Sequence, residues 1–194
     1  MNVLLTVPHD ACPPLQPPKS HLCDTSAKEF AEMISSELKG SKLLISDIHR
    51  DSTQLASDGL PGSDQNRPNS RPTDFLNEFK SAITPDTIVL DIHSFPYEST
   101  FSQSFHPDIV ILDPAAGRDE LSKFLTDFLN SKHWKVALVP AASINYIVKY
   151  ARSINAQASL IEISEAITRA TRSQIAKHVS QAVREITAKK WKRI

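Results

Sequence analysis

Short apolar runs with little polar alternation constrain this chain most. Residues 87–92 read Thr-Ile-Val-Leu-Asp-Ile. A run of that length is too brief for an ordinary helix and too continuous for a strand with one wet face. It predicts a strand buried on both sides, as in sheets covered by helices on both faces. Residues 3–7, 43–48, 109–112, 136–139 and 159–163 have the same character. Between these runs, apolar residues recur at helical spacing. Phe30, Met33, Ile34 and Leu38 follow the capping types Asp24 and Thr25, with Gly40 to end the helix. Leu121, Phe124, Leu125, Phe128 and Leu129 form a second set, residues 144–153 a third, and Ile175, Val179, Ala182, Val183 and Ile186 a fourth. Strands alternating with helices predict an α/β fold, a three-layer sandwich on a mainly parallel, mixed sheet of the phosphorylase/hydrolase-like kind.

The 194 residues suit one domain, 1–194, with a sizeable core. Lys plus Arg and Asp plus Glu stand at 22 each, so charge does not argue for a nucleic-acid partner. No apolar run approaches the roughly 18 residues of a membrane span. The opening Met-Asn-Val-Leu-Leu-Thr-Val has no basic segment and reads as a first strand, not a leader peptide. Two cysteines, Cys12 and Cys23, are too few for a disulfide framework in a chain this long and suit reduced thiols in the cytoplasm. No glycine-rich phosphate loop motif occurs in a chain with only four glycines. The run Lys189-Lys190-Trp191-Lys192-Arg193 reads as a solvated helix end favoured by the helix dipole.

Two segments break the alternation. Residues 10–23 carry four prolines, at 13, 14, 17 and 18, and residues 51–73 are rich in Ser, Asp, Asn, Pro and Gly. Both follow a predicted strand, and ligand crevices of open α/β sheets lie at the carboxyl ends of strands. His9 follows the first strand and His93 the strand over 87–92. Imidazoles at two strand ends can converge on one ion, and a catalytic zinc takes three protein ligands and keeps one position open. A carboxylate would complete that set, and Asp47 at the end of the second strand is one candidate. Glu162 sits in an apolar strand, where burial would raise its pKa as a general acid/base requires. Asp64-Gln65-Asn66-Arg67 contributes a guanidinium whose planar fork fits a carboxylate. Asn145-Tyr146 opens the helix over 144–153, either capping it or touching a ligand. His9, Cys12, His21 and Cys23 could alternatively form a structural zinc site, although their spacing is irregular.

Val-Pro-His, Asp24 at a helix start, Asp-Gln-Asn-Arg-Pro, Leu-Asp-Ile-His-Ser-Phe and Leu-Ile-Glu-Ile occur here in one order. That ordered set resembles the N-formylglutamate amidohydrolase family, itself similar to zinc carboxypeptidases and aspartoacylases with their Asp-x-Asn-Arg and Asp-x-His motifs. The resemblance runs from about residue 5 to residue 163. It implies one divalent metal, zinc by expectation, held by His9, Asp24 and His93. It implies Glu162 as general base and Arg67, with Asn66, gripping a substrate carboxylate or the developing oxyanion. Arg50 resembles the arginine that precedes the Asn-Arg motif and joins Asn66, and by their position Asn145 and Tyr146, as candidate substrate contacts. The implied activity is hydrolysis of the amide of an N-acyl amino acid, a small-molecule carboxylate such as N-formylglutamate. A carboxypeptidase-like or γ-glutamyl peptidase on the same scaffold is the alternative, as is a binding protein that has lost the chemistry. Asp10 and Ala11 stand where the family usually has a small residue and glycine after its first histidine.

Overall fold

The computed structural model describes residues 2–9, 24–47, 66, 73–96, 105–113, 119–140 and 145–191. Along the chain run β1 (Asn2–Val7), α1 (Ala27–Glu37), β2 (Lys42–Ile45), α2 (Asp74–Ala82), β3 (Thr87–Phe95), β4 (Ile109–Asp113), α3 (Glu120–Ser131), β5 (Val136–Pro140), α4 (Tyr146–Ser153), β6 (Gln157–Ser164) and α5 (Arg169–Trp191). Among the described residues the strands form a six-stranded sheet in the order β2-β1-β3-β6-β4-β5. β2, β1, β3 and β6 are mutually parallel, and β4 runs antiparallel to β6 while pairing in parallel with β5. The sheet is therefore mixed and mostly parallel, as the continuous apolar runs predict.

Alternation of side chains across the strands splits the core in two. On one face Val3, Leu5, Val7, Leu90, Ile92, Ile161 and Ile163 pack with Phe30 and Ile34 of α1, Leu125 of α3 and Val179 of α5. On the other, Leu4, Val89, Ala158 and Leu160 pack with Phe75, Leu76 and Phe79 of α2 and Ile147, Val148 and Ala151 of α4. Two helix layers thus enclose the sheet, giving a three-layer α/β sandwich. Every residue of β3 is buried, because β1 and β6 flank it and helices cover both its faces.

Several boundaries differ from the sequence-based expectation. β3 continues to Phe95, so His93 lies inside the strand and not after it; the ladder with β6 persists to Phe95 opposite Ser164. α1 begins at Ala27, not at Asp24, because the backbone of residues 24–26 is engaged by neighbouring strands before the helix starts. α4 begins at Tyr146 with Asn145 as its cap. α2 was not expected from the hydrophobic pattern. Its Thr73 cap accepts a hydrogen bond from Leu76 N, and Phe75, Leu76 and Phe79 supply a short buried stripe. Gly40 lies just beyond α1 at φ 85°, the left-handed turn for which glycine is suited.

Candidate metal centre

The carboxyl ends of β1, β3 and β6 lie side by side, since the three strands are parallel neighbours. His9 sits in the turn after β1. Asp24 N donates to His9 O at 2.9 Å, which brings the start of the α1 segment back to the tip of β1. His93 lies near the end of β3, its ring centroid 4.9 Å from that of His9. Asp24 stands between them. Its Oδ2 is 2.8 Å from His93 Nδ1 and 3.5 Å from His9 Nδ1. All three side chains are buried, and one ligand atom from each lies within 4.8 Å of the others. Exposed Asp47 is outside this group, so the carboxylate accompanying the two histidines is Asp24.

Electrostatics bind the cluster together. Burial alone would raise the Asp24 pKa, but hydrogen bonds and charge from His9 and His93 hold it well below the usual carboxylate range. Burial would depress His93, yet the carboxylates of Asp91 and Asp24 raise it well above the ordinary histidine value. In the metal-free chain both ring nitrogens therefore carry protons, Nδ1–H donating to Asp24 and Nε2–H to Asp91 Oδ2 at 3.0 Å.

Asp91 is the aspartate of the Leu-Asp-Ile-His-Ser-Phe motif, but the sequence reading gave it no role. It lies two residues before His93 in β3, on the same face, and is completely buried. Besides the motif, the available signal was a carboxylate inside an otherwise apolar strand, the same signal that marked Glu162. Burial would raise the Asp91 pKa, but His93, Thr6 and Asn145 outweigh it and the group stays ionised. Glu162 is half-buried on β6 directly opposite His93 in the ladder, and so shares its face of the sheet.

Asn66 and Asn145 meet at the same place. Asn66 Nδ2 donates to Asp91 Oδ2 at 3.2 Å, its Oδ1 accepts from Ile147 N at 3.2 Å, and its backbone O accepts from Tyr146 N at 3.0 Å. Asn145 Oδ1 caps α4 by accepting from Val148 N, while its Nδ2 donates to Asp91 Oδ2 at 3.0 Å. The Tyr146 ring packs toward α2, 5.9 Å from the Tyr150 ring and with Lys80 Nζ 5.6 Å from its centroid. Its described side-chain contacts thus join α4 to α2. Arg50 and Arg67, like Asp64, Cys12, His21 and Cys23, lie outside the described residues, as do the side chains of the basic run at 189–193.

No family model matches the sequence, and no curated protein matches it. Solved structures do. A structure of N-formylglutamate amidohydrolase from Ralstonia eutropha superposes with a TM-score of 0.64 over 99% of this chain and 95% of that one, at 14% identity. The fold is shared with a solved amidohydrolase. The gene product Atu2144 from Agrobacterium tumefaciens gives a TM-score of 0.67 at 14% identity, covering 95% of this chain and 90% of its own. An N-acetylmuramoyl-L-alanine amidase from Clostridium difficile gives 0.54 at 14% identity, with 95% of each chain covered. At these identities the likeness speaks for the architecture, and the chemistry must be argued from the side chains.

The donor set fits a divalent ion. Two imidazoles and one carboxylate are ordinary ligands of catalytic zinc, whose bonds of about 2.0–2.1 Å set tetrahedral ligand atoms roughly 3.4 Å apart. The 3.5 Å between His9 Nδ1 and Asp24 Oδ2 matches that edge. The 2.8 Å between His93 Nδ1 and Asp24 Oδ2 is a hydrogen bond, whose proton would have to leave for an ion to be held there.

Proposed function

We propose that this chain is a metal-dependent hydrolase that cleaves the amide bond of an N-acyl amino acid, with N-formylglutamate as the first substrate to try. The observation that carries the reading is the buried group His9, Asp24 and His93 at the strand ends, beside Glu162, in a fold shared with a solved N-formylglutamate amidohydrolase. The three ligands would hold one divalent ion, zinc by preference, which supplies Lewis acidity toward the amide carbonyl and the attacking water when bound.

The rest of the chemistry falls to the chain. Glu162 takes a proton from the attacking water and delivers it to the leaving amine, the general acid–base work of a positioned carboxylate. Arg50 or Arg67 orients the substrate carboxylate, and an arginine stabilises the developing oxyanion; removing such a donor commonly costs on the order of 100-fold in rate. Asn66 and Asn145 hold the frame in this reading, because their amides are already engaged with Asp91 and the start of α4. Tyr146 enters as a candidate substrate contact through its place beside Asn145 at the start of α4. The substrate is a small-molecule carboxylate, and the chain acts in the cytoplasm. Among the described residues no helix is long and apolar enough to cross a membrane.

Purified protein tests the proposal directly. Metal analysis is expected to find about one equivalent of zinc per chain, the stoichiometry of a single three-ligand site. Glu162→Gln is expected to abolish turnover of N-formylglutamate while leaving metal bound. Full activity in that variant removes Glu162 from the mechanism. A panel of N-formyl, N-acetyl, γ-glutamyl and peptidyl glutamates separates the amidohydrolase from a peptidase. A chain that binds zinc but turns over none of them is a binding protein.

A further inference from the structure

We propose that Asp91 is a positioning residue that dictates which nitrogen of His93 is turned toward His9 and Asp24; this rests on the metal reading above. Asp91 is 0% exposed, and four donors surround its carboxylate. Thr6 Oγ1 donates to Oδ1 at 2.6 Å, and Oδ2 receives Asn145 Nδ2 at 3.0 Å, Asn66 Nδ2 at 3.2 Å and His93 Nε2–H at 3.0 Å. A carboxylate removed from water is costly unless its lone pairs are filled, and here they are filled from four separate residues. The result is an ionised group fixed in place, because each donor is itself anchored. Thr6 is the ladder partner of Asp91 on β1. The two asparagines are oriented by their amide oxygens, which accept from Val148 N and Ile147 N at the start of α4. A flipped amide would lose its bond to α4 and its bond to Asp91 together.

A fixed anion beside Nε2 keeps the proton on that nitrogen. Nδ1, 2.8 Å from Asp24 Oδ2, is left as the atom that addresses the cluster. Asn66 Nδ2 also lies 3.1 Å from His93 Nε2, but its hydrogens are directed to the carboxylate, since a protonated Nε2 offers no lone pair. Carboxylates bonded to the outer nitrogen of a ligating histidine set its tautomer and ring orientation, and their loss typically weakens metal binding about 10–100-fold. Asp91 is too deeply enclosed to reach a substrate, so its effect on catalysis passes through His93.

The test uses the full chain with Asp91→Asn and Asp91→Ala, probed by zinc, by cobalt and by nitrogen-15 NMR of the histidine rings. In the metal-free wild type the His93 Nε2–H is expected as a hydrogen-bonded, slowly exchanging resonance, and in Asp91→Asn that resonance is expected to disappear. Zinc affinity, read by competition with a chromophoric chelator, is expected to fall by about 10–100-fold, and the visible spectrum of the cobalt form is expected to change. A folded Asp91→Asn protein with unchanged zinc affinity and an intact Nε2–H resonance overturns the proposal. So does a loss of thermal stability with both readouts unaltered, which would assign Asp91 to folding alone. If neither Asp91 variant folds, Thr6→Val and Asn145→Ala each remove one donor. Both are expected to weaken zinc binding and speed exchange of the His93 Nε2–H, and wild-type behaviour in both overturns the proposal. A wild-type chain that binds no zinc would defeat the metal reading, while the NMR measurement on the metal-free protein would still decide the Asp91–His93 bond.

Discussion

His93 is a cation held between two anions, and this has a pH signature. Burial opposes its charge, but Asp91 and Asp24 win and keep its pKa well above the ordinary value. In the metal-free protein its contribution to stability is therefore complete below about pH 6.5, the unfolded value, and is lost as pH rises through the higher folded value. Asp24 behaves oppositely. Its pKa is depressed despite burial, so its contribution is present above about pH 4 and is lost as pH falls through the lower folded value. An ion arriving at the site must displace the Nδ1 proton of His93. Zinc binding at pH 7 is accordingly expected to release about one proton, with affinity rising roughly tenfold per pH unit while His93 remains protonated. Calorimetry in buffers of different ionisation enthalpy measures that proton directly, and equal apparent enthalpies in all buffers would contradict it.

Asp24 gains its place from the way α1 begins. Ser26 is the N-cap of α1 by position, but its side chain makes no capping hydrogen bond. Instead, the amides of the two residues leading into α1 are held by side chains at the carboxyl ends of β3 and β6. Glu165 Oε1, just past β6, accepts from Thr25 N at 3.0 Å, and Ser94 Oγ of β3 accepts from Ser26 N at 3.2 Å. Ser94 in turn donates to Glu165 Oε1 at 2.6 Å. An acidic side chain at a helix start also complements the helix dipole. Glu165→Ala is expected to lower stability by about 1 kcal/mol, the usual cost of a lost cap, and to speed hydrogen exchange at Thr25 and Ser26. Because Asp24 is the adjoining residue, zinc affinity should fall as well. Chemical denaturation and exchange mass spectrometry check the first two effects, and unchanged exchange at the α1 start would show that Glu165 does not anchor it.

Across the whole molecule, the ion would join parts of the chain that are remote in sequence: the β1 tip, the α1 start and β3. It would therefore bind the native state and not the unfolded one, stabilising by about 2.7 kcal/mol at a hundredfold excess over the dissociation constant. For a chain of this size that corresponds to a rise in Tm of roughly 5–10 °C, to be measured by calorimetry with and without a chelator. The alternation of apolar runs with helical stripes determined the layered α/β architecture, since runs such as 87–92 can be satisfied only between two covering layers. Local pattern also marked His9, Glu162 and His93, polar groups set at strand ends or in apolar strands where burial is costly without a partner. It did not distinguish α2, whose buried stripe of Phe75, Leu76 and Phe79 is short and follows a polar, proline-rich segment. Strand order and register were also beyond it, because pairing joins residues far apart in sequence. Only that pairing set Thr6 beside Asp91 and Glu162 beside His93. Likewise, only the folded chain chose Asp24 over Asp47 and turned Asn66 and Asn145 onto a buried carboxylate. A side chain's type is written in sequence, but its partners depend on which distant segments the core brings within hydrogen-bond reach.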